Sequence, residues 1–440
     1  MFGSNLRRWE FWKELISFRS LVIVSPVFLL TVKHWTNLVV LVMFVGSLFF
    51  LFRKKETAPH ETAEIKRWRW IIALTLIGPL LAVGMGQLLR GEFYPPNFDA
   101  PLRIALCAPI FLANSRGWLY IEGKDPITFL WMKYFFPISL IWTFAYRPSW
   151  TDKWSQHNTT YFVDPLSFGN LTLLFALLSF TGLSFCWNRM HWIVRIISLI
   201  AMLVGFYLSV KSGSRTGWLN LPFFISIWLF GFAWQAFGRV RSSIIAFGIF
   251  LAAGAFIYSS PFFVSKIMAA INELSSYQWN AISSEGSADI RLTFYRMALF
   301  YFLYNPLQGW GDLGWKAISN SPEIVQYASE FARQFPEHGF HNEIVTNTIR
   351  SGIWGLASSV AFFFCPIYWS VAAVRQHVNK DVMFIGYFVL FLMLHLFLAG
   401  ITTEVTNLVF LASFSGLSIA IMLGDGLFTE IKTSTQYAAD

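Results

Sequence analysis

The hydrophobic residues of this chain fall into long runs, and the polar residues are concentrated between them. About twelve runs approach the length of about 20 apolar residues that a helix needs to cross a bilayer. The predicted spans lie at residues 15–32, 36–52, 70–89, 102–114, 127–145, 166–187, 192–210, 217–237, 243–260, 342–370, 382–400 and 405–424. This pattern predicts an all-α polytopic integral membrane protein.

A polar stretch late in the chain separates the apolar runs and forms the longest loop. The predicted parts are a transmembrane bundle of about nine helices at 1–260, a loop at 261–341, C-terminal transmembrane helices at 342–424 and a cytoplasmic tail at 425–440. A loop of about 80 residues is longer than a simple connector needs to be, so we expect it to carry function.

Two amphipathic helices are predicted within this loop, at Pro261–Ala281 and at Asp289–Tyr304. Apolar residues recur at helical spacing in the first, and the second is rich in Phe and Tyr. Such helices are suited to lie in the plane of the membrane interface. Asn305 and Pro306, followed by several glycines, end the second helix.

The overall composition agrees with a membrane protein. The chain is 55% hydrophobic and only 13% charged, whereas soluble chains carry about 25% charged residues. The 20 Trp and 15 Tyr residues are typical of aromatic belts at the two membrane interfaces. Cys107, Cys186 and Cys365 all fall within apolar runs, so we expect neither a disulfide nor a metal site from them.

The net charge of +9 is explained by membrane topology rather than by binding to nucleic acid. With the N-terminus placed inside, Lys and Arg are concentrated in the cytoplasmic segments, for example at Arg53, Lys54 and Lys55, and are fewer in the short outer loops. This bias predicts that both termini are cytoplasmic. The long loop then faces the outside, which is the periplasm in a Gram-negative cell.

Arginines on the predicted outer face are candidates for binding phosphate. Arg215 lies in a short glycine-containing turn, KSGSRTGW, between two spans, and Arg291 and Arg296 lie in the second loop helix. The planar guanidinium matches the geometry of phosphate oxygens. Each of these arginines, taken singly, also fits an interfacial anchor or a surface ion pair.

The end of the loop holds a second group of candidates. His338 and His341 lie in PEHGFHNEIV, just before a span, and the glycines of GWGDLGW, Gly309 and Gly311, offer backbone amides that suit an anion. The histidine pair has no third ligand at a suitable spacing, so we expect no metal there. A neutral histidine instead suits a general base.

Charged and polar residues also continue into the span that follows. Asn342 comes directly after the second histidine, and Glu343, Asn347 and Arg350 share one face of the predicted helix. Charges within a span usually face the protein interior or a wet cavity. They therefore fit either an internal ion pair or a support for the site.

These motifs resemble the O-antigen ligase/polymerase superfamily. The stretch HNEIVTNTIRSGIWG contains His341 and Asn342, then Gly352 and Gly355 at the spacing found in that family. The arginine that opens an aromatic helix before NPLQGWG, and the SGSRTG turn, are also similar to the family pattern. The resemblance covers roughly residues 200–370 by motif and the remainder by topology.

The resemblance implies a GT-C-like membrane glycosyltransferase that needs no metal or other cofactor. Such an enzyme takes a glycan from undecaprenyl pyrophosphate and transfers it to an acceptor hydroxyl in the periplasm. For a ligase, the acceptor is a sugar of the lipid A–core. The important arginines of the family match Arg215 and Arg291, and its important histidine matches His341, with His338 close enough to take the same role.

Other readings stay open on the sequence alone. An O-antigen polymerase uses the same donor with a second lipid-linked glycan as acceptor, and a protein O-oligosaccharyltransferase shares the motif. A transporter or flippase would also suit about twelve spans. Transporters often contain two-fold internal repeats, and we find none in this sequence.

Overall fold

The protein is helical throughout the part of the chain that the structure describes. The computed structural model describes residues 17–53, 61–146, 159–214, 216–229, 287–334, 339–376 and 379–439, with scattered positions between 231 and 282. The helices are α1 (Phe18–Val24), α2 (Trp35–Phe52), α3 (Ala63–Arg90), α4 (Asp99–Ala105), α5 (Cys107–Asn114), α6 (Ile127–Ala145), α7 (Pro165–Phe185), α8 (Trp192–Lys211), α9 (Asn220–Trp228), α10 (Ser287–Tyr304), α11 (Pro322–Val325), α12 (Glu330–Gln334), α13 (Glu343–Gln376), α14 (Lys380–Gly400) and α15 (Val409–Ala439).

Eight of the described helices are long and apolar enough to cross a membrane. They are α2, α3, α6, α7, α8, α13, α14 and α15. The prediction of an all-α polytopic membrane protein is therefore confirmed for the described residues. The predicted span at 217–237 is described to residue 229 and contains α9, but most of its remainder and more than half of the span at 243–260 lie outside the described residues. The count of about twelve therefore stays a prediction.

Two predicted spans are not single helices. The segment predicted at 15–32 forms α1 and then turns, in which Pro26 has no N–H to continue the helix. The segment predicted at 102–114 forms α4 and α5, which meet at Leu106. Pro109 cannot donate to the carbonyl of Ala105 in the helical pattern, which favours a break at this point. Neither break interrupts the apolar run, so hydropathy does not reveal it.

The last helix continues beyond the span predicted at 405–424, through the residues assigned to the tail. Its charged residue Asp425 is buried and accepts hydrogen bonds from the backbone N–H of Thr128 at 2.9 Å, from the Thr128 hydroxyl at 2.8 Å and from Asn114 at 3.1 Å. A buried carboxylate is tolerated when its oxygens are paired in this way. The sequence marks a charge at this position but not its partners.

The helix ends bring the candidate residues to one end of the bundle. Helix α3 begins after Thr62, whose side chain accepts from the N–H of Ile65 at 3.2 Å, and it ends at Gly91 in the left-handed conformation. At the end of the bundle where α3 finishes, α14 also finishes, and α13 and α15 begin. We call it the site end.

Two hydrophobic clusters stabilise the described structure. The larger one lies among the spanning helices, where α7 is the most completely buried. The smaller one joins the loop to α13, and its largest side chains are rings, including Phe294, Tyr301, Trp315 and Phe340. The predicted helix Asp289–Tyr304 is confirmed as α10, which supplies this cluster. The predicted helix Pro261–Ala281 falls largely outside the described residues.

Candidate functional site

The site end is shaped by a break in α13. Ser351 (φ −132°, ψ 15°) and Gly352 (φ 60°, ψ −140°) leave the helical conformation in the middle of this helix. The loop after α10 docks against the break through three backbone hydrogen bonds. They run from Trp310 to Ile349 at 2.8 Å, from Gly311 to Arg350 at 3.0 Å and from Ile353 to Pro306 at 2.8 Å. The loop thus satisfies backbone groups that the broken helix leaves open, as a membrane interior requires.

Glycine is required where the two backbones meet. A Cβ atom on Gly352 would overlap the carbonyl of Pro306, and one on Gly309 would lie 2.5 Å from the amide of Gly352. Gly309 (φ 66°) and Gly311 (φ 70°) also hold the left-handed backbone that favours glycine. The predicted role of these glycines as an anion cradle is not tested, but their role in the close approach of loop and helix is visible.

Arg90, the last residue of α3, joins a third element to this break. Its guanidinium donates to the carbonyl of Gln308 and, at 2.8 Å, to that of Arg350, while its Nε donates to Glu92 at 2.6 Å. Arg90 therefore binds the loop and the open turn of α13 together.

A cavity of about 900 Å³ opens beside the docked loop. Its described walls come from the segment after α3, the glycine loop, the start of α13 and the α14–α15 connection. They are lined by Glu92, Phe93, Tyr94, Pro96, Asn97, Trp310, Gly311, Asp312, Leu313, Gly314, Trp315, Gly339, Phe340, Thr346, Ile349, Arg350, Glu404, Asn407 and Leu408. Ligand pockets usually measure about 300–1,000 Å³, so this cavity has the size of a binding site.

Arg350 is the cation in this wall and is held by three side chains. Its Nε donates to Asp312 at 2.5 Å, and its Nη1 donates to Asn407 at 2.5 Å and to Asn347 at 3.4 Å. The Arg350 side chain is 14% exposed and that of Asp312 is 31% exposed. The ion pair therefore fixes the arginine while an acidic side chain stays partly open to the cavity.

Glu343, at the first turn of α13, holds the α14–α15 connection in place. Its buried carboxylate accepts from the backbone N–H groups of Val405 at 2.6 Å and Thr406 at 2.9 Å, from the Thr406 hydroxyl and from Asn347 at 2.6 Å. A carboxylate with this many donors acts as a structural anchor. This contact gives Glu343 a supporting place beside the cavity.

Glu404 lies in the connection that Glu343 holds. The Thr346 hydroxyl donates to Glu404 at 3.0 Å and accepts from the N–H of Phe340 at 2.9 Å. Burial, and secondly the nearby Glu343 carboxylate, raise the pKa of Glu404 to about 8. Burial therefore favours the protonated form of Glu404.

His341 lies next to the cavity, directly after the lining residue Phe340. Its backbone is in the left-handed region (φ 50°), and its ring stacks on Phe294 with centroids 6.2 Å apart and planes at 25°. Asn342 accepts from the N–H of Val345 at 3.1 Å and so caps α13. Its amide lies 3.4 Å from the hydroxyl of Tyr295.

Comparison with known families identifies this segment. Residues 197–360 match the family model described as O-antigen ligase. Over these residues the chain is similar to the O-antigen ligase family. The matched residues include α10, the docked glycine loop and the broken part of α13. A search of curated proteins finds no match to the chain.

The predicted site residues fall into separate groups. Arg291 lies one helical turn before Phe294 and Tyr295, which contact His341 and Asn342, so α10 brings it toward the histidine. Neither His341 nor Arg291 is among the residues that line the cavity. Arg215 and His338 lie outside the described residues.

Arg296 contacts a different part of the loop. Its guanidinium lies 3.7 Å from the ring centroid of Tyr327 and donates to the carbonyl of Trp279. These contacts pack the loop, and they give Arg296 a structural function there.

Several residues of the candidate site have little or no support in the sequence. Arg90 and Glu92 belong to no motif, and the two carbonyls that Arg90 binds belong to residues more than 200 positions away. Glu404 lies just before the predicted span 405–424 and Asn407 lies within it, and neither belongs to a motif. The available hint was their position, since polar residues near the ends of several spans can meet at one end of a bundle.

Proposed function

We propose that this protein transfers O-antigen polysaccharide from undecaprenyl pyrophosphate to the lipid A–core in lipopolysaccharide biosynthesis. The observation that carries the proposal is the family match over 197–360, the segment that builds the docked loop and the start of α13. The donor, the lipid A–core acceptor and the surrounding membrane lipids would be its partners. The cavity beside His341 offers room for a glycan at a membrane surface.

The proposed mechanism is a direct displacement without a metal. His341 accepts the proton of the acceptor hydroxyl, whose oxygen forms a bond to the anomeric carbon of the donor sugar as the bond from that carbon to the pyrophosphate oxygen breaks. Arg215 and Arg291 stabilise the negative charge on the departing pyrophosphate. Attack from the opposite side inverts the anomeric centre. A product of retained configuration would contradict this step.

The proposed location is the bacterial inner membrane, with both termini in the cytoplasm and the site end facing the periplasm. The distribution of Lys and Arg along the sequence supports this orientation. A donor carried by a lipid in the outer leaflet would then reach the site end from the side.

Restoration of function in cells tests the proposal. In a strain that lacks its own O-antigen ligase but makes the lipid-linked polysaccharide, expression of this chain is expected to produce lipopolysaccharide that carries O-antigen. If the lipid-linked chains become longer instead, the protein is a polymerase. If glycan appears on protein, it is an O-oligosaccharyltransferase. Movement of lipid-linked glycan across the membrane with no transfer would support a transporter.

A further inference from the structure

The charges that line the cavity are unequally exposed. Of its described lining residues, only Arg350 is cationic, and its guanidinium is occupied by Asp312, Asn407 and Asn347. Two acidic side chains are more open. The side chain of Glu92 is 45% exposed and that of Asp312 is 31% exposed, against 14% for Arg350. A ligand in the cavity therefore meets carboxylate oxygens more readily than a free guanidinium.

Arg90 offsets part of the charge of Glu92, but its side chain is much less exposed than that of Glu92. It lies behind the wall with its side chain 9% exposed, and it donates to Glu92, to the Gln308 carbonyl and to the Arg350 carbonyl. Its contacts fix the orientation of Glu92 over Gly311, where a Cβ atom would lie 3.2 Å from a Glu92 oxygen. The Glu92 carboxylate is thus held in place at the cavity wall.

The remaining walls combine rings with uncharged polar groups. Phe93 and Tyr94 are exposed on the segment after α3, Trp310 lies on the docked loop, and Asn97 and Asn407 contribute carboxamides. Carboxylates accept hydrogen bonds from hydroxyl groups, and carboxamides both donate and accept them. The faces of aromatic rings pack against the C–H faces of a sugar. Together these are the groups that an uncharged, hydroxyl-rich ring requires.

We infer that this cavity binds an uncharged sugar residue and selects against a sugar that carries phosphate. A phosphate group placed here would lie beside Glu92 and Asp312, and it would find the guanidinium of Arg350 already paired. Like charges brought together at a binding surface are strongly unfavourable. The inference rests on the proposed function, and it assigns the sugar to the cavity while the pyrophosphate belongs to the arginines proposed for it, Arg215 and Arg291.

Equilibrium binding tests the inference without depending on turnover. The full-length protein in lipid nanodiscs is titrated with two oligosaccharides, one released from the lipid A–core and one released from the lipid-linked donor. Each is prepared with an unmodified outermost sugar and with a phosphate monoester on that sugar. We expect one unmodified oligosaccharide to bind at least about tenfold more tightly than its phosphorylated form. The oligosaccharide that shows this difference identifies the source of the sugar.

Substitutions that remove one charge assign the selection to the cavity. Glu92→Gln and Asp312→Asn are each expected to reduce the preference for the unmodified oligosaccharide by several-fold, because the repulsion of phosphate is weakened. The matched controls are Glu323→Gln, on an exposed loop position, and Asp99→Asn, which pairs with Arg103 at 2.9 Å outside the cavity. Both controls are expected to keep the preference of the unsubstituted protein.

The outcomes separate this inference from the proposed function. Equal or tighter binding of both phosphorylated forms would overturn it, as would a preference that Glu92→Gln and Asp312→Asn leave unchanged. Absence of binding by both unmodified oligosaccharides would also overturn it. If the preference is found but no glycan is transferred in the presence of donor and acceptor, the sugar site stands and the proposed transferase function is wrong.

Discussion

His341 combines a left-handed backbone with a ring held against α10. Histidine accepts this conformation at some cost, and asparagine is among the few other residues that tolerate it. A substitution can therefore remove the imidazole without adding much backbone strain. Because a substitution by asparagine removes the imidazole and keeps the backbone conformation, His341 is the most direct residue to test.

We predict that His341→Asn lowers the rate of glycan transfer by about 10²–10⁴-fold, the usual contribution of one general base. The thermal unfolding of the purified protein is expected to change little. His34→Asn is the matched control, because His34 is also left-handed (φ 64°) but lies at the start of α2, outside the cavity lining. An active His341→Asn enzyme would remove the proposed base from the mechanism.

Glu404 couples the stability of the site end to pH. Its pKa is about 8 in the folded protein, above the ordinary value of 4.5. At a pH between these two values, the folded protein keeps a proton on Glu404 that the unfolded chain has released. The free energy of unfolding is therefore expected to fall as pH rises through this window. The denaturation midpoint, measured from pH 5 to 8.5, should fall less steeply in Glu404→Gln.

Glu323→Gln provides the control for this pH dependence, since Glu323 is exposed on the loop. It is expected to follow the unsubstituted protein at each pH. An identical pH dependence in Glu404→Gln and the unsubstituted protein would show that Glu404 does not titrate in this window.

At the scale of elements, α13 and the glycine loop form one unit. Each supplies backbone donors or acceptors that the other lacks, and Arg90 of α3 binds both. The catalytic candidate His341 lies two residues before α13, and the cavity residue Arg350 lies in the short section of α13 before the break. The position of the break therefore sets where these side chains lie.

We predict that Gly352→Ala destabilises the folded protein by more than about 2 kcal/mol, because it adds backbone strain to an overlap with the loop. Gly123→Ala is the control. Gly123 has a left-handed backbone (φ 75°), but nothing lies within 4 Å of its added Cβ, so only the backbone cost of about 1 kcal/mol applies. Denaturant unfolding in detergent measures both. Equal losses would mean that the close approach contributes little.

The elements that the sequence predicts well are those with uninterrupted apolar runs. Trp35–Phe52 and Lys380–Gly400 nearly coincide with predicted spans because their boundaries are marked by polar residues. The break at Gly352 is not predictable in this way, since the apolar run passes through it. It depends on backbone contacts with Pro306 and Trp310, which are distant in sequence.

The same reason limits prediction of the site. His341, Arg291 and the glycines were chosen because they belong to local motifs, and their roles stay predictions. The cavity wall depends on how α3, the loop and the α14–α15 connection assemble. Neither Glu92 nor Thr346, which lies within the HNEIVTNTIR stretch, is marked by the sequence as part of that wall. Sequence patterns therefore identify chemical groups more readily than the surfaces around them.

At the scale of the whole molecule, the account requires the site end to face the periplasm. We predict that a membrane-impermeant maleimide labels Glu323→Cys in intact cells with a permeabilised outer membrane. Glu122→Cys, at the opposite end between α5 and α6, should be labelled only after the inner membrane is opened. Both positions are exposed. The natural cysteines are replaced by alanine to remove background labelling, and the reverse pattern would contradict the orientation.

Transfer by the purified protein tests the central claim most directly. The full-length chain in nanodiscs is mixed with undecaprenyl-pyrophosphate-linked glycan and lipid A–core in the presence of a metal chelator, with His341→Asn and His34→Asn run in parallel. The account predicts glycosylated lipid A–core with the unsubstituted protein and with His34→Asn, and almost none with His341→Asn. Intact donor in every reaction, under conditions in which the protein is folded, would contradict it.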